Sequence, residues 1–196
     1  MTLRSSFALI LVLAMSTSAC AQAPDARLIA EALSAAPPSF HDMATVYGYN
    51  DDGTYRVIRE GSSDFYCVGD DPAREGFEAS CWQGALNAYL VRGRVLRAEG
   101  MTGMETVNAR EAEIEAGTLA WFEGSATQYI RYGDEAYYDE TAGEVVGSEL
   151  RYVVYVPYAT PESTGLPLEP MTPGGPWLMT PGSFRAHIMV LPVSAP

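Results

Sequence analysis

Residues 64–83 read DFYCVGDDPAREGFEASCWQ, and the fold is decided by how this stretch is understood. It places Cys67 and Cys81 on either side of thirteen residues rich in Gly, Pro and Asp, with little of their own to pack. That spacing is neither the Cys-x-x-Cys of a redox catalyst nor half of a zinc site. It fits a structural disulfide that staples a loop. Closing a loop of about 15 residues contributes about 3 kcal/mol, mainly by restricting the unfolded chain.

On either side of the staple the pattern changes. Residues 64–68, DFYCV, read as a short strand. From the second cysteine, CWQGALNAYLVRGRVLRAE sets Trp82, Leu86, Tyr89, Leu90 and Leu96 at helical spacing. Arg92, Arg94 and Arg97 fall on the outer side of that helix. The expectation is a strand tied to a helix start.

A disulfide needs an oxidising compartment, and the N-terminus is consistent with one. Residues 1–19, MTLRSSFALILVLAMSTSA, carry Arg4, an apolar core from Phe7 to Met15, and then small residues. This is the layout of a secretory leader. The core falls short of the roughly 20 residues that span a bilayer, and no later stretch approaches that length. Cys20 admits two readings. Either cleavage follows Ala21 and discards it, or Thr17-Ser18-Ala19-Cys20 serves as a lipobox and Cys20 becomes the acylated first residue of a lipoprotein. The expected division is a leader over 1–21 and one domain over 22–196.

The chain has 196 residues and a formal net charge of −13, with arginine as its only cation and no lysine. Loss of Arg4 with the leader takes the charge to −14. Such a balance argues against nucleic acid, whose phosphates require a basic footprint. It argues equally against anionic lipid head groups, leaving the lipid anchor as the route to a membrane.

Outward from the staple, residues 24–38 read as a helix with an apolar stripe of Leu28, Ile29 and Leu33, stopped by Pro37-Pro38. Residues 43–61 read as a hairpin turning at Asn50-Asp51-Asp52-Gly53. Residues 104–116 suggest another helix with a thin apolar side of Met104, Val107 and Ile114. Beyond Leu119 the pattern is β: LAWFEG, ATQYIRYG and ELRYVVYVPY, separated by acidic turns, then PWLM and FRAHIMVLPV at the end. These elements predict a single α+β domain, an antiparallel sheet with two or three helices packed on one side.

Sites for chemistry are sparse. His187 lies in FRAHIMVLPV, where alternation puts Phe184, Ala186, Ile188 and Val190 on one face and Arg185, His187 and Met189 on the other. As a catalytic base it requires a carboxylate to orient it and a nucleophile or water within reach. No Gly-x-Ser-x-Gly elbow supplies a serine. His41 reads as a loop residue. No zinc or EF-hand signature occurs, and no cofactor motif is seen. Asn50 to Gly53 are explained by a turn, Asp70-Asp71 by a solvated loop, and Glu111 with Glu115 by an exposed helix face. Twelve tyrosines are present, and Tyr152 and Tyr158 share strand parity as candidate ligand contacts.

The C-terminal stretch PGGPWLMTPGSFRAHIMVLP resembles the ending of a group of exported bacterial proteins, in which a Gly-Gly-Pro loop leads to a strand and an Ala-His-Ile-Met-Val-like strand closes the chain. The similarity extends to REGSSDFYC and to the second cysteine followed by an aromatic-bearing helix. It covers about half of the chain after the leader, in short patches, and residues 91–145 share little of it. The resemblance implies export and kinship of fold, with no activity attached.

The function expected from these features is an exported periplasmic or envelope-associated binding or interaction module, its partner a small molecule or a protein. The alternatives are a small hydrolase-like or lyase-like enzyme using His187, and a structural lipoprotein anchored at Cys20.

Overall fold

The structure, a computed structural model, describes residues 23–193 apart from position 51. The leader, Cys20 and Asp51 therefore lie outside the described residues. In chain order the elements are α1 (Ala23–Leu33), β1 (Thr45–Tyr49), β2 (Tyr55–Arg59), β3 (Phe65–Val68), β4 (Phe77–Gln83), α2 (Asn87–Ala98), α3 (Gly103–Glu115), β5 (Ala126–Gly133), β6 (Tyr137–Asp139), β7 (Glu144–Val146), β8 (Glu149–Tyr155), α4 (Pro161–Thr164), β9 (Trp177–Met179) and β10 (His187–Val190). Eight strands form one sheet in the order β2-β1-β3-β4-β5-β8-β10-β9, and β6–β7 make a separate hairpin. All pairs are antiparallel except β1 with β3. This is a single α+β domain built on a mostly antiparallel sheet. Among the described residues no helix is long and apolar enough to cross a membrane.

The parallel pair arises at residues 60–64, where the chain leaves the β1–β2 hairpin and rounds the end of β1. Ser62 and Ser63 donate their backbone N–H groups to the Met43 carbonyl, and Gly61 N–H donates to Thr45 Oγ1. A Cβ at Gly61 would run into the backbone of Met43, Ala44 and Thr45. Only glycine lets the chain pass this close.

The disulfide joins Cys67 to Cys81. The second cysteine, however, lies inside β4 and not at a helix start. Cys67 pairs directly with Cys81 across the β3–β4 ladder, with Cα atoms 4.0 Å apart. The helix waits until Asn87, after a short 3-10 turn over Gly84–Leu86. Residues 79–82 are buried on both faces, and two-sided burial favours an extended central strand over the start of an amphipathic helix.

Two-sided burial also settles where the helices go, and here the structure departs from the expected one-sided packing. Phe77, Ala79 and Cys81 point to one face with Val46, Phe65 and Cys67, covered by Ala32 and Leu33 of α1. Trp82 points to the other face with Val68, covered by Leu86, Tyr89 and Leu90 at and after the start of α2. α1 therefore lies on one side of the sheet, and α2 with α3 on the other.

Three further sequence expectations change. Residues 119–124 form no strand: the Trp121 ring packs edge-on against Tyr89 at 4.8 Å and Phe184 at 5.3 Å, plugging the core instead of joining the ladder. The acidic stretch between β5 and β8 contains the β6–β7 hairpin, whose Val145 and Tyr138 close over the α1 face. α3 turns Thr106 and Arg110 inward and leaves Met104 exposed. The Arg110 guanidinium lies 3.8 Å over the Tyr89 ring and donates to the Tyr89 carbonyl at 3.1 Å. That buried contact, together with a bidentate Arg92–Glu113 pair at 2.8–3.0 Å, docks α3 onto α2 without an apolar stripe.

Gly93, in the interior of α2, is explained by the same docking. A Cβ there would stand 2.6 Å from Arg110 Nη1. Gly93→Ala is expected to destabilise the protein by about 1–3 kcal/mol through overpacking, with Arg110→Met restoring part of the loss. Replacing both half-cystines by alanine should remove about 3 kcal/mol. Denaturant unfolding midpoints test both expectations.

Candidate functional site

The face of the sheet covered by α2 carries a cluster of aromatic rings. Tyr47 stacks on Trp82 at 6.2 Å, and lies near Tyr66 at 6.1 Å and Tyr55 at 5.1 Å. Asn87, the first residue of α2, accepts from Trp82 Nε1 at 3.2 Å and from the Tyr47 hydroxyl at 3.4 Å. These two bonds fix where α2 begins and so which of its residues lie over the sheet. Arg94, two turns on, is drawn inward. Its guanidinium sits 4.8 Å over the Trp82 ring and donates to Ser80 Oγ and the Leu90 carbonyl, both at 3.2 Å. Arg94 and Arg97, expected on the solvent side, are both half-buried.

Next to them opens a cleft of about 660 Å³, bounded by three separate stretches of chain. The β1–β2 turn contributes Tyr49 and Asp52, the β3–β4 loop contributes Asp71 and Arg74, and α2 contributes Arg94 and Arg97. The α2–α3 junction, from Met101 to Gly103, completes the wall. This size lies within the range of small-molecule sites, about 300–1,000 Å³.

Three guanidinium groups thus converge in a chain whose net charge is −13. Arg74 is loosely paired with Glu78 at 3.8 Å. Neither Arg94 nor Arg97 forms an ion pair among the described residues, and Arg94 Nε is buried without a hydrogen-bond partner. Burial, then the neighbouring charge of Arg94, lowers the Arg97 pKa from its ordinary value. The group remains charged at neutral pH, since a guanidinium is not deprotonated in proteins. Burial raises the Tyr49 hydroxyl, against the pull of Arg94. The Tyr55 hydroxyl behind it is also raised by burial and is itself buried without a partner. Both phenols therefore stay protonated as donors. The acids on the rim are already engaged: Asp52 accepts from Thr54, and Asp71 from the Ala73 N–H at 3.0 Å.

The β3–β4 loop reaches the cleft because it is tied from below. Glu31 of α1, only 4% exposed, accepts from the Asp70 N–H at 2.8 Å, and Asp70 Oδ1 accepts from the Glu78 N–H at 2.9 Å. Asp70 is thus a structural bracket, not a solvated loop acid.

The residues singled out from sequence are dispersed. His187 pairs with Tyr155 across β10 and β8. Its Nδ1 donates to the Arg185 carbonyl at 2.8 Å, since a carbonyl only accepts, and this is its one hydrogen bond among the described residues. β10 begins only at His187, so Phe184 belongs to the core beside Tyr89 and does not share the face of Ile188. Tyr152 is half-buried with its ring 5.5 Å from Tyr129. Tyr158 lies past the end of β8 in a left-handed turn at φ 62 and is 63% exposed. Tyr152 and Tyr158 therefore form no common row. His41 Nε2 lies 3.2 Å from the Ala36 carbonyl. No group of three or more His, Cys, Asp or Glu side chains arranged to hold a metal occurs among the described residues.

The arginine pair carried one signal in the sequence. Arg94 and Arg97 are like charges three apart on a helix, with no acid three or four positions away to offset either.

Against known proteins, the chain matches no family model, no curated protein and no solved structure.

Burial lowers the His187 pKa below its ordinary 6.5. The unfolded chain then binds that proton more tightly, so the stabilising contribution is whole above 6.5 and is lost as pH falls through the folded value. Glu31, raised by burial above 4.5, runs the other way: its contribution is whole below 4.5 and is lost as pH rises through its folded value. Comparing the protein with His187→Gln isolates the first effect. The unfolding free energy of the variant should fall less between pH 7 and pH 5 than that of the parent, as followed by chemical denaturation at each pH.

Proposed function

We propose that this protein is an exported binding module, acting in the periplasm or cell envelope, whose ligand is a small anion seated between the β1–β2 turn, the β3–β4 loop and α2. The observation that carries the reading is the convergence of Arg74, Arg94 and Arg97 on one cleft of an acidic chain. Holding two half-buried guanidinium groups side by side is costly by itself, through desolvation and mutual repulsion. An incoming anion offsets both costs. Binding would proceed by exchange of water for charge-assisted hydrogen bonds from Arg94 and Arg97, with the Tyr49 hydroxyl as a neutral donor. Support for export comes from the leader-like residues 1–19 and from a disulfide that joins neighbouring strands.

The surroundings of His187 favour this reading over hydrolase-like or lyase-like chemistry. Its Nδ1 is committed to a backbone carbonyl, and no carboxylate or hydroxyl is among its hydrogen-bond partners in the described residues.

Titration of isotope-labelled protein with acetate, sulfate, citrate and inorganic phosphate tests the binding site. At least one anion should give saturable amide shifts clustered at Tyr49, Arg94, Arg97 and residues 101–103. Arg97→Gln should cost about 1.5–3 kcal/mol of that affinity, the range for a hydrogen bond to a charged group. Scattered shifts, or none, would overturn the proposal. Export is tested separately by mass spectrometry of protein from its native host. A chain starting at Gln22 indicates free release, an acylated Cys20 indicates anchoring, and an intact Met1 removes export from the reading.

A further inference from the structure

We infer that the ligand of the cleft is a phosphomonoester carried on a small hydroxylated body. The inference rests on the cleft being the binding site and adds the chemistry that the cleft selects.

The cationic charge lining the cleft exceeds what one carboxylate can neutralise. Arg74, Arg94 and Arg97 all line it, Arg94 while also donating to Ser80 Oγ and the Leu90 carbonyl, and Tyr49 adds a hydroxyl. A carboxylate brings one negative charge, leaving the second half-buried guanidinium uncompensated. A phosphomonoester has three terminal oxygens and close to two negative charges at neutral pH, enough to compensate both guanidinium groups and to accept from the hydroxyl. Long-range attraction does not assist, because the protein as a whole carries −13. At physiological salt that field is screened beyond about 8 Å, so selection happens at contact. Contact favours a concentrated charge.

The rim points to the rest of the ligand. Asp52 and Asp71 line the same cleft, and each already accepts from backbone N–H. An ionised carboxylate retains lone pairs beyond those used here. Facing outward, these acids repel a second phosphate and accept hydrogen bonds from hydroxyls. Ala98 and Met101 offer a small apolar contact for carbon. The volume of about 660 Å³ leaves room for a body well beyond phosphate alone. One phosphate at the arginines, hydroxyls toward the acids, is the arrangement that satisfies all of these groups.

The first α3 turn borders the cleft without supplying the charge. Its capping box is complete within the protein, since Glu105 Oε2 accepts from the Thr102 N–H at 2.9 Å. The arginines, with the Tyr49 hydroxyl, carry recognition of the phosphoryl group.

The test is competitive titration of the intact, oxidised protein with glycerol 3-phosphate, inorganic phosphate, acetate, citrate and a sugar bisphosphate, read by amide shifts. Glycerol 3-phosphate should bind most tightly. Its affinity should fall at least about tenfold in Arg97→Gln, as loss of a charged hydrogen bond predicts. In Asp71→Asn the preference over the bisphosphate should shrink. An unfolding midpoint no lower than the parent's shows that each variant is folded, and the ranking on the parent protein needs no variant at all. Vesicles of phosphatidylcholine with phosphatidic acid distinguish the source. Binding of the soluble ester alone makes it a free metabolite and upholds the inference, whereas co-sedimentation abolished by Arg97→Gln makes it a lipid head group without hydroxyls and overturns the hydroxylated body. Tighter binding of citrate or acetate at the cleft would overturn the phosphomonoester and leave the binding module standing. Tighter binding of the bisphosphate would overturn the role of the acids. No clustered shift with any probe would overturn both readings.

Discussion

The pairing of β3 with β4 is the constraint from which the other features follow. Cys67 and Cys81 face each other across this ladder and hold it covalently on the α1 side. One residue further along, Trp82 projects to the opposite side and is fully buried there. Because side chains alternate along a strand, one short segment anchors both layers of the core. The disulfide fixes the register, and the register fixes which side Trp82 serves. A slip of one residue would exchange the two layers.

From Trp82 the consequences run to the cleft. Its indole N–H and the Tyr47 hydroxyl converge on Asn87, which sets the start and rotation of α2. That rotation brings Arg94 over the Trp82 ring and sets Arg97 in the wall of the cleft. Arg94 then sits against aromatic surface in place of open solvent. Stacking on an indole partly compensates a guanidinium for lost water, but it adds no counter-charge. The same helix is served differently on its other side, where Arg92 forms a bidentate pair with Glu113. Two arginines two positions apart thus have opposite fates: one clamps α3 in place, the other faces a cleft.

The buried polar groups share a division of labour. Glu31 and Asp70 are structural, each accepting backbone N–H groups that would otherwise go unpaired, and together they hold the β3–β4 loop in place. Arg110 does the corresponding work between α2 and α3, satisfied by carbonyls and by the Tyr89 ring. Arg94 and Arg97 differ from these because their surroundings leave charge unanswered. His187, by contrast, is held by a backbone carbonyl and an aromatic neighbour, an environment suited to a neutral ring.

Local signals in the sequence determined the cysteine pair, α1, the β1–β2 hairpin, the span of α3 and the β character beyond residue 125, because propensity, turn residues and apolar spacing act over a few positions. They misplaced Cys81 in a helix because a strand buried on both faces lacks alternation and reads as an apolar run. They missed the β6–β7 hairpin because its residues are acidic and its burial comes from contact with α1. LAWFEG has strand composition, yet its tryptophan is spent on the core. The cleft was beyond reach for a related reason. Arg94 and Arg97 read as a solvent face, as arginines opposite a leucine stripe usually do, until the tertiary structure brings Trp82, Tyr49 and the β3–β4 loop around them. Tertiary structure alone decided the site, since convergence of side chains from three distant segments depends on register and helix rotation, which no local pattern encodes.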